Sequence, residues 1–554
     1  MAESFILSLA QLNPVVGDVT GNAAKVRAAR AEAAAAGAAV VVTPELVLSG
    51  YPPEDLVYRA SFLARCADAV AELAAETADG GPAIVLGTPW RVGDSTHNAV
   101  LVLAEGRIKG TILKHHLPNY GVFDEARVFT PGRIPGPVEV GGVRLGVMVC
   151  EDMWFPDVAE TLAETGAEIL VVANGSPFEV RKADQRMAHA VGRVQETGLP
   201  LVYVNQVGGQ DELVFDGASF VLDSAFQLCH AAPTWRPCVT YTTWERGADG
   251  VLRCQPAAIA APEDACESVY QAMVLGLKDY VTKNGFPGVL LGLSGGIDSA
   301  LSAAVAVDAL GADKVHCVMM PSPYTSRESL EDAAEVARLL GCRLDEINIG
   351  PAMDAFAQML APQFAGTPPG ITEENIQSRA RGVTLMGLSN KFGHMVLSTG
   401  NKSEMSVGYA TLYGDMCGGY SVLKDVYKTM VFALCDWRNG HKPAGALGPD
   451  GAVMPTRVIT KPPSAELRPD QKDEDSLPPY PVLDAILEGL VEYQKAVHEL
   501  VAEGFEQATV ERVWTLLNRA EYKRRQAPPG VKIGLRSFGR ERRYPITNAY
   551  VGPR

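Results

Sequence analysis

The sequence is short of positive charge. Its 49 Lys and Arg face 65 Asp and Glu, a formal net charge of −16, and a broad nucleic-acid face needs clustered cations against phosphate, so that class of partner is excluded. Long apolar runs are missing too: no stretch reaches the roughly 20 apolar residues of a membrane span, and the opening residues, Met-Ala-Glu-Ser before an apolar run at 5–10, carry no basic, long-hydrophobic leader. The ten cysteines never form a Cys-x-x-Cys pair, which argues against zinc fingers and disulfide frameworks alike. No internal repeat is present. These absences predict a cytoplasmic protein with mostly inert thiols and no membrane or nucleic-acid partner. At 554 residues, with 47% hydrophobic and 21% charged content, the chain is long enough for two to four globular domains.

What is present begins with Val289-Leu290-Leu291-Gly292-Leu293-Ser294-Gly295-Gly296-Ile297-Asp298-Ser299 followed by an Ala-rich stretch. This reads as strand, phosphate-cradling turn and helix. Glycines 295 and 296 let backbone N–H groups approach an anion, and the opening helix adds its positive dipole end. Asp298 would repel bare phosphate, so it predicts a divalent cation between the two. No Gly-Lys-Ser/Thr follows, so the loop is not a Walker A loop. Flanking strands at 315–319, 342–349 and 394–397, alternating with helices at 326–340 and 372–391, predict a doubly wound, mainly parallel sheet with its ligand at the carboxyl ends of the strands.

The first half mixes hairpins and crossovers: strands at 5–9, 39–43, 83–86, 143–150, 169–173 and 201–205, a hairpin turning at Glu105-Gly106, and helices at 22–36, 62–78 and 182–197. A layered α/β domain follows. Residues 230–262 show no sustained period and predict a linker. The Gly/Ala/Pro-rich segment from Arg438 and the proline-punctuated stretch up to Tyr480 predict a mobile loop, before helices resume at 481–503 and 510–519.

Three apolar runs of the first half each end on one chemically unusual residue: Glu45 after Val40-Val41-Val42-Thr43-Pro44, Lys114 after Gly110-Thr111-Ile112-Leu113, and Cys150 after Leu145-Gly146-Val147-Met148-Val149. Strand ends converge in space, and a carboxylate, an ammonium and a thiol together make an acyl-transfer centre: base, oxyanion partner and nucleophile. Their surroundings, Pro44-Glu45-Leu46 with Ser49-Gly50-Tyr51-Pro52-Pro53, Lys114-x-x-Leu117-Pro118-Asn119-Tyr120-x-x-Phe123-Asp124-Glu125, and Cys150-Glu151-Asp152-x-Trp154, resemble the glutaminase branch of the nitrilase family over residues 5–250. That resemblance implies an α-β-β-α sandwich, with Glu45 the general base, Lys114 the oxyanion stabiliser, Cys150 the nucleophile and Glu125 a supporting glutamate. It also places Tyr120, Ser176 and Lys182 at bound glutamine.

The glycine loop resembles the Ser-Gly-Gly-x-Asp-Ser pyrophosphate loop of ATP pyrophosphatases, of Rossmann-like fold. Ser398-Thr399-Gly400-Asn401-Lys402-Ser403-Glu404, Tyr413-Gly414-Asp415, Lys424-Asp425-Val426, residues 461–468 and Glu521-Tyr522-Lys523-Arg524-Arg525-Gln526 resemble NAD synthetases. In their order the two halves resemble the glutamine-dependent NAD synthetase family over nearly the whole chain. The resemblance implies a glutaminase domain at 1–250, a linker at 251–264 and an ATP-dependent ligase domain at 265–554 with a mobile loop at about 438–480. It implies ATP at residues 292–299 and Thr399, Mg²⁺ on Asp298 and Glu404, and deamido-NAD along Asn375, Glu404, Lys424, Asp425 and Lys523, in a homo-oligomer whose other partners are small molecules. Two rivals are an amidotransferase of the GMP or asparagine synthetase kind, disfavoured by Ala2 and the nitrilase-like trio, and a non-catalytic nucleotide-binding module fused to a degenerate hydrolase, which the intact Glu45, Lys114, Cys150, Asp298 and Glu404 oppose.

Overall fold

The computed structural model describes residues 4–469 and 471–550, and the chain divides into two compact units, Met1–Glu263 and Asp264–Arg554. Strands of the first unit run β1 (Ser4–Gln11), β2 (Val40–Val42), β3 (Ala83–Val92), β4 (Ser95–Ala104), β5 (Arg107–Leu113), β6 (Val138–Val140), β7 (Val143–Val149), β8 (Ile169–Asn174), β9 (Leu201–Asn205), β10 (Val207–Gln210), β11 (Leu213–Asp216), β12 (Phe220–Leu222), β13 (Leu228–Ala231), β14 (Cys238–Arg246) and β15 (Leu252–Cys254). They form a seven-stranded sheet ordered β15-β14-β1-β2-β3-β4-β5, a six-stranded sheet ordered β13-β12-β9-β8-β7-β6, and the separate pair β10-β11.

Alternation along each strand builds the layers. Leu7, Leu9, Val40, Val42, Val100 and Val102 of the larger sheet meet Val147, Val149, Val171, Ala173 and Val202 of the smaller one in a single core. The residues between them point outward. Val41, Ile84, Leu101 and Leu103 pack under the helices Val19–Ala35 and Ala60–Glu76, while Met148, Leu170 and Val172 pack under Pro156–Glu164 and Lys182–Thr197. Both faces of each sheet are covered, which is why these strands read as nearly unbroken apolar runs. The hairpin at Glu105-Gly106 forms with both residues at positive φ, +55° and +76°, as a two-residue turn matched to strand twist requires.

One sequence expectation needs correction here. The stretch 230–262 is not simply a linker: β14 pairs antiparallel with β1 from Cys238↔Gln11 to Glu245↔Ser4, and β15, inside the expected 251–264 linker, pairs with β14. Cys-Val-Thr-Tyr-Thr-Thr-Trp alternates β-branched and aromatic side chains around buried Thr242 and Trp244, a pattern that is strand-like without being apolar.

In the second unit β16 (Val289–Gly292), β17 (Val315–Met319), β18 (Arg343–Glu346), β19 (Met395–Ser398) and β20 (Tyr420–Ser421) form an all-parallel sheet ordered β18-β17-β16-β19-β20. The order reverses between β16 and β19, the switch point at whose carboxyl ends doubly wound sheets hold ligands. The helix Ile297–Leu310 leaves β16 and is buried along almost all its length, which its Ala-rich composition permits. The expected single helix at 481–503 is two, Tyr480–Val491 and Val497–Ala502.

The expected mobile loop contains the end of the helix Lys428–Gly440, then the short helix Thr456–Thr460. Fully buried Arg438 donates to both Asp308 oxygens (2.7 and 3.1 Å) and to the carbonyls of His441, Pro449 and Gly451. Leu447 N–H bonds the Asp308 carbonyl at 2.9 Å. Residues 441–451 are thus wrapped around one buried ion pair rather than lacking partners.

Candidate active sites

Each member of the first trio sits just beyond a strand of the first unit. After β2 the chain turns at Pro44–Leu46 directly over Gly87, where a side-chain carbon would lie 2.3 Å from the Pro44 carbonyl oxygen; only glycine lets the turn pass. Lys114 follows β5, with its N–H on the Asn98 carbonyl (2.9 Å). Cys150 follows β7 and opens a short helical turn at φ +46°, a conformation costly for a side-chain-bearing residue and held here by its surroundings. The Asp152 carboxylate supplies part of that hold, accepting from Val149 N–H at 3.2 Å and from the N–H groups of His115 and His116 at 3.0 and 2.8 Å. Burial pushes this carboxyl up to about 6.

The side chains meet. Lys114 Nζ, fully buried, donates to Glu45 Oε1 at 2.7 Å and to both Glu125 oxygens at 2.9 and 2.8 Å. Glu45 also accepts from Asn98 Nδ2 (2.7 Å) and Gly175 N–H (2.9 Å), and Glu125 from the Tyr51 hydroxyl (2.9 Å). Burial works against the Lys114 charge, yet the two glutamates outweigh it and hold this ammonium well above the usual lysine range. Burial, joined by the Glu45 charge, pushes the Cys150 thiol well up, so it rests as a thiol and needs a base. Beside it the Tyr120 hydroxyl bonds both Glu151 oxygens (2.9 and 3.1 Å), and Lys182 Nζ lies 4.6 Å from the Trp154 ring centre. Ser176 N–H donates to Asn205 Oδ1 (2.9 Å), and its Oγ accepts from buried Arg186 (3.0 Å), itself paired with Asp216.

In the second unit the glycine loop is knotted by hydroxyls. Ser294 Oγ lies 3.0 Å from Ser299 Oγ and accepts from Gly296 N–H (3.2 Å), and Ser299 Oγ donates to the Gly296 carbonyl (2.9 Å). Gly295 has φ +80°, and a side-chain carbon there would meet the Ser329 carbonyl oxygen at 2.2 Å. Asp298, in the first turn of the following helix, accepts from Asn401 Nδ2 (2.8 Å) and from Lys428 Nζ. Lys428 Nζ also reaches Glu404 Oε1 at 3.4 Å. Burial pushes the Glu404 carboxyl up to about 8 against the pull of Lys428, while Asp298 and Glu404 hold Lys428 above the usual lysine range despite its burial.

A family model for carbon-nitrogen hydrolases matches residues 6–247 and one for NAD synthases matches residues 269–527. A glutamine-dependent NAD(+) synthetase of Rhodobacter capsulatus is 52% identical over 550 residues, 99% of each chain. The chain belongs to the glutamine-dependent NAD(+) synthetase family. The family's member from Acinetobacter baylyi is 45% identical over 549 residues, again 99% of each chain. A solved structure of the Acinetobacter baumannii member, in complex with adenosine diphosphate, is 42% identical with a TM-score of 0.79, each chain covered in full.

Within this family member the residues singled out from sequence fall into groups. Glu45, Lys114 and Glu125 are in direct contact. Asp298 and Glu404 share the Lys428 ammonium, and Thr399 directly follows β19, the sheet neighbour of β16. Asn375 accepts from Thr411 Oγ1 at 3.0 Å, and Lys523 Nζ donates to the Gly408 and Ala410 carbonyls at 2.7 and 2.6 Å. Asp425 stands apart from the Lys428 cluster: its carboxylate accepts the N–H groups of Ile533 and Gly534, both at 2.7 Å, and pairs with buried Lys402 at 2.7 Å. Lys424, half-buried, precedes it. Sequence reasoning missed Lys428, Asn98 and Glu151. For Lys428 the signal was a cation opening a largely apolar stretch, Lys-Thr-Met-Val-Phe-Ala-Leu-Cys, where charge is seldom buried without a partner.

Proposed function

We propose that the first unit hydrolyses glutamine through a Cys150 thioester and that the second makes NAD by amidating deamido-NAD through an acyl-adenylate. The reading rests on membership of the family and on one observation above all, the buried Glu45–Lys114–Glu125 contact beside a high-energy Cys150 backbone. Glu45 takes the thiol proton, and the thiolate attacks the carboxamide carbon. The developing oxyanion is met by Lys114, which Glu125 keeps charged and fixed. Glu45 returns the proton to the leaving nitrogen, ammonia departs, and Glu45 then deprotonates the water that splits the thioester to glutamate. Tyr120, Ser176 and Lys182 are assigned to the glutamine.

In the second unit ATP is assigned to Gly292–Ser299 and Thr399, with its phosphates on loop N–H groups and the helix N-terminus. The oxygens of Asp298 and Glu404 both approach one ammonium, so two hard donors converge within the reach of a single cation, the donor set that suits Mg²⁺. Bound there, Mg²⁺ would neutralise phosphate charge as pyrophosphate leaves. Lys428, set between the two carboxylates, supplies a further cation to the same charge. Asn375, Glu404, Lys424, Asp425 and Lys523 are assigned to deamido-NAD, Asp425 as the brace that fixes its neighbour Lys424. Ammonia is a nucleophile only when unprotonated, so transfer sheltered from water favours the reaction. The products are NAD, AMP, pyrophosphate and glutamate.

Cys150→Ala tests the division of labour. NAD formation from glutamine should vanish while formation from ammonium salt persists within a few-fold; loss of both in a folded variant would refute the scheme.

A further inference from the structure

Directly after Lys114 come two consecutive histidines that the glutaminase chemistry leaves unused. Asp152 Oδ1 accepts both of their backbone N–H groups, at 3.0 and 2.8 Å, which fixes the bases of both side chains. The His115 ring is oriented further: its Nδ1 lies 2.8 Å from the Gly132 carbonyl oxygen. A carbonyl only accepts, so Nδ1 carries a proton, and in the neutral imidazole Nε2 presents a lone pair. Metal-binding histidines are commonly prepared this way, the far nitrogen donating to a backbone carbonyl so that the near one faces the ion.

That lone pair faces Asp157. His115 Nε2 is 3.8 Å from Asp157 Oδ2, and His116 Nε2 is 2.9 and 3.1 Å from its two oxygens. One ligand atom from each residue lies within 4.8 Å of the others. Around a tetrahedral ion with bonds of about 2.0–2.1 Å, adjacent ligand atoms are about 3.3 Å apart, so the His115–Asp157 pair would close by about half an ångström and the widest separation of the trio by at most about 1.5 Å. The rings have little freedom to turn away: His116 stacks on Phe155 at 4.2 Å between ring centres and meets His115 edge-on at 4.6 Å. All three side chains remain open to solvent, with exposures of 30%, 24% and 43%, so an ion could enter without unfolding anything.

We propose that His115, His116 and Asp157 form a site for a transition-metal dication of the zinc class, the ion displacing to solvent the proton that His116 Nε2 donates to Asp157 and water completing the coordination. Two imidazoles and one carboxylate suit Zn²⁺, Co²⁺ or Ni²⁺ and are poorly matched to Mg²⁺ or Ca²⁺, which prefer oxygen throughout. The alternative, a plain His116–Asp157 hydrogen bond, gives no role to the His115 lone pair, so His115 separates the two readings. The site is distinct from Asp298 and Glu404, and it shares Asp152 with the turn that carries Cys150.

The test is a Co²⁺ titration of the full chain in excess Mg²⁺, followed by visible ligand-field absorption and then by displacement with Zn²⁺. A Cys150→Ser background removes the nucleophile as a competing ligand. One Co²⁺ per chain should bind saturably, and His115→Gln, His116→Gln and Asp157→Asn should each weaken it by about tenfold or more, whereas His498→Gln, at an exposed position, should not. Circular dichroism and an unchanged thermal-unfolding transition in the single variants establish that they are folded. Absence of saturable Co²⁺ binding overturns the site, as does binding that survives His115→Gln unchanged.

Discussion

A single ammonium bonded to two buried carboxylates leaves the glutaminase centre with more negative than positive charge. Glu125 carries the consequence: burial raises its carboxyl from 4.5 to about 7 even though Lys114 pulls the other way. An acid whose folded value lies above its unfolded one holds its proton more tightly in the native state. Its contribution to stability is therefore full below about 4.5 and is lost as the pH rises through about 7. Glu125→Gln should accordingly flatten the fall in thermal-unfolding midpoint between pH 5 and 8; parallel profiles for the two proteins would contradict the assignment. At this scale Glu45, Lys114 and Cys150 were legible because each interrupts an apolar run at the point where a strand must end. Asn98 breaks no local pattern, and although Lys428 stands out at the head of an apolar stretch, nothing local names its partner. Asn98 lies within a strand and Lys428 at the head of a helix, and only tertiary packing brings them to Glu45 and Asp298.

Elements were readable where hydrophobic period and turn chemistry agreed, as in the helices Arg327–Leu340 and Lys182–Thr197 and the Glu105-Gly106 hairpin. They were obscured where a polar side chain substitutes for apolar packing. β14 buries Thr242, whose hydroxyl receives the Trp244 indole N–H at 3.0 Å, so its inward face does not read as hydrophobic. The segment 441–451 is a stronger case. Its Gly, Ala and Pro content signals a loop, yet its carbonyls are organised by Arg438, whose partner Asp308 also accepts the Tyr270 hydroxyl at 2.6 Å. Removing one member of a buried ion pair leaves the other charged and unpartnered, at a cost of about 3–5 kcal/mol. Arg438→Met should therefore lower the denaturant midpoint for loss of ammonium-dependent synthesis by a corresponding amount and leave glutamine hydrolysis at its normal midpoint. A change below about 1 kcal/mol would show that these carbonyls and Asp308 find solvent without harm.

Over the whole molecule, two units with separate cores divide the chemistry between them. The residues proposed for glutamine hydrolysis, from Glu45 to Lys182, all precede Glu263, and those proposed for synthesis, the loop, Thr399, Glu404, Lys428 and Lys523, all follow Asp264. The parallel sheet of the second unit followed from alternating strand and helix, and its switch point lies between β16 and β19. The identity of its substrate did not follow from that order, since many chemistries use the same switch point; it required motifs spread from residue 292 to residue 526, none of which names deamido-NAD alone. If the two centres run separate reactions, damage to one should leave the other's first step intact. Asp298→Ala removes a carboxylate from the Lys428 cluster without touching any residue before Glu263. It should reduce NAD formation by about 100-fold or more from glutamine and from ammonium alike, while glutamate release, assayed separately, continues within a few-fold of the unmodified chain. Near-normal synthesis would remove Asp298 from the nucleotide chemistry, and parallel loss of glutamate release in a folded variant would mean that the two reactions are not chemically separable.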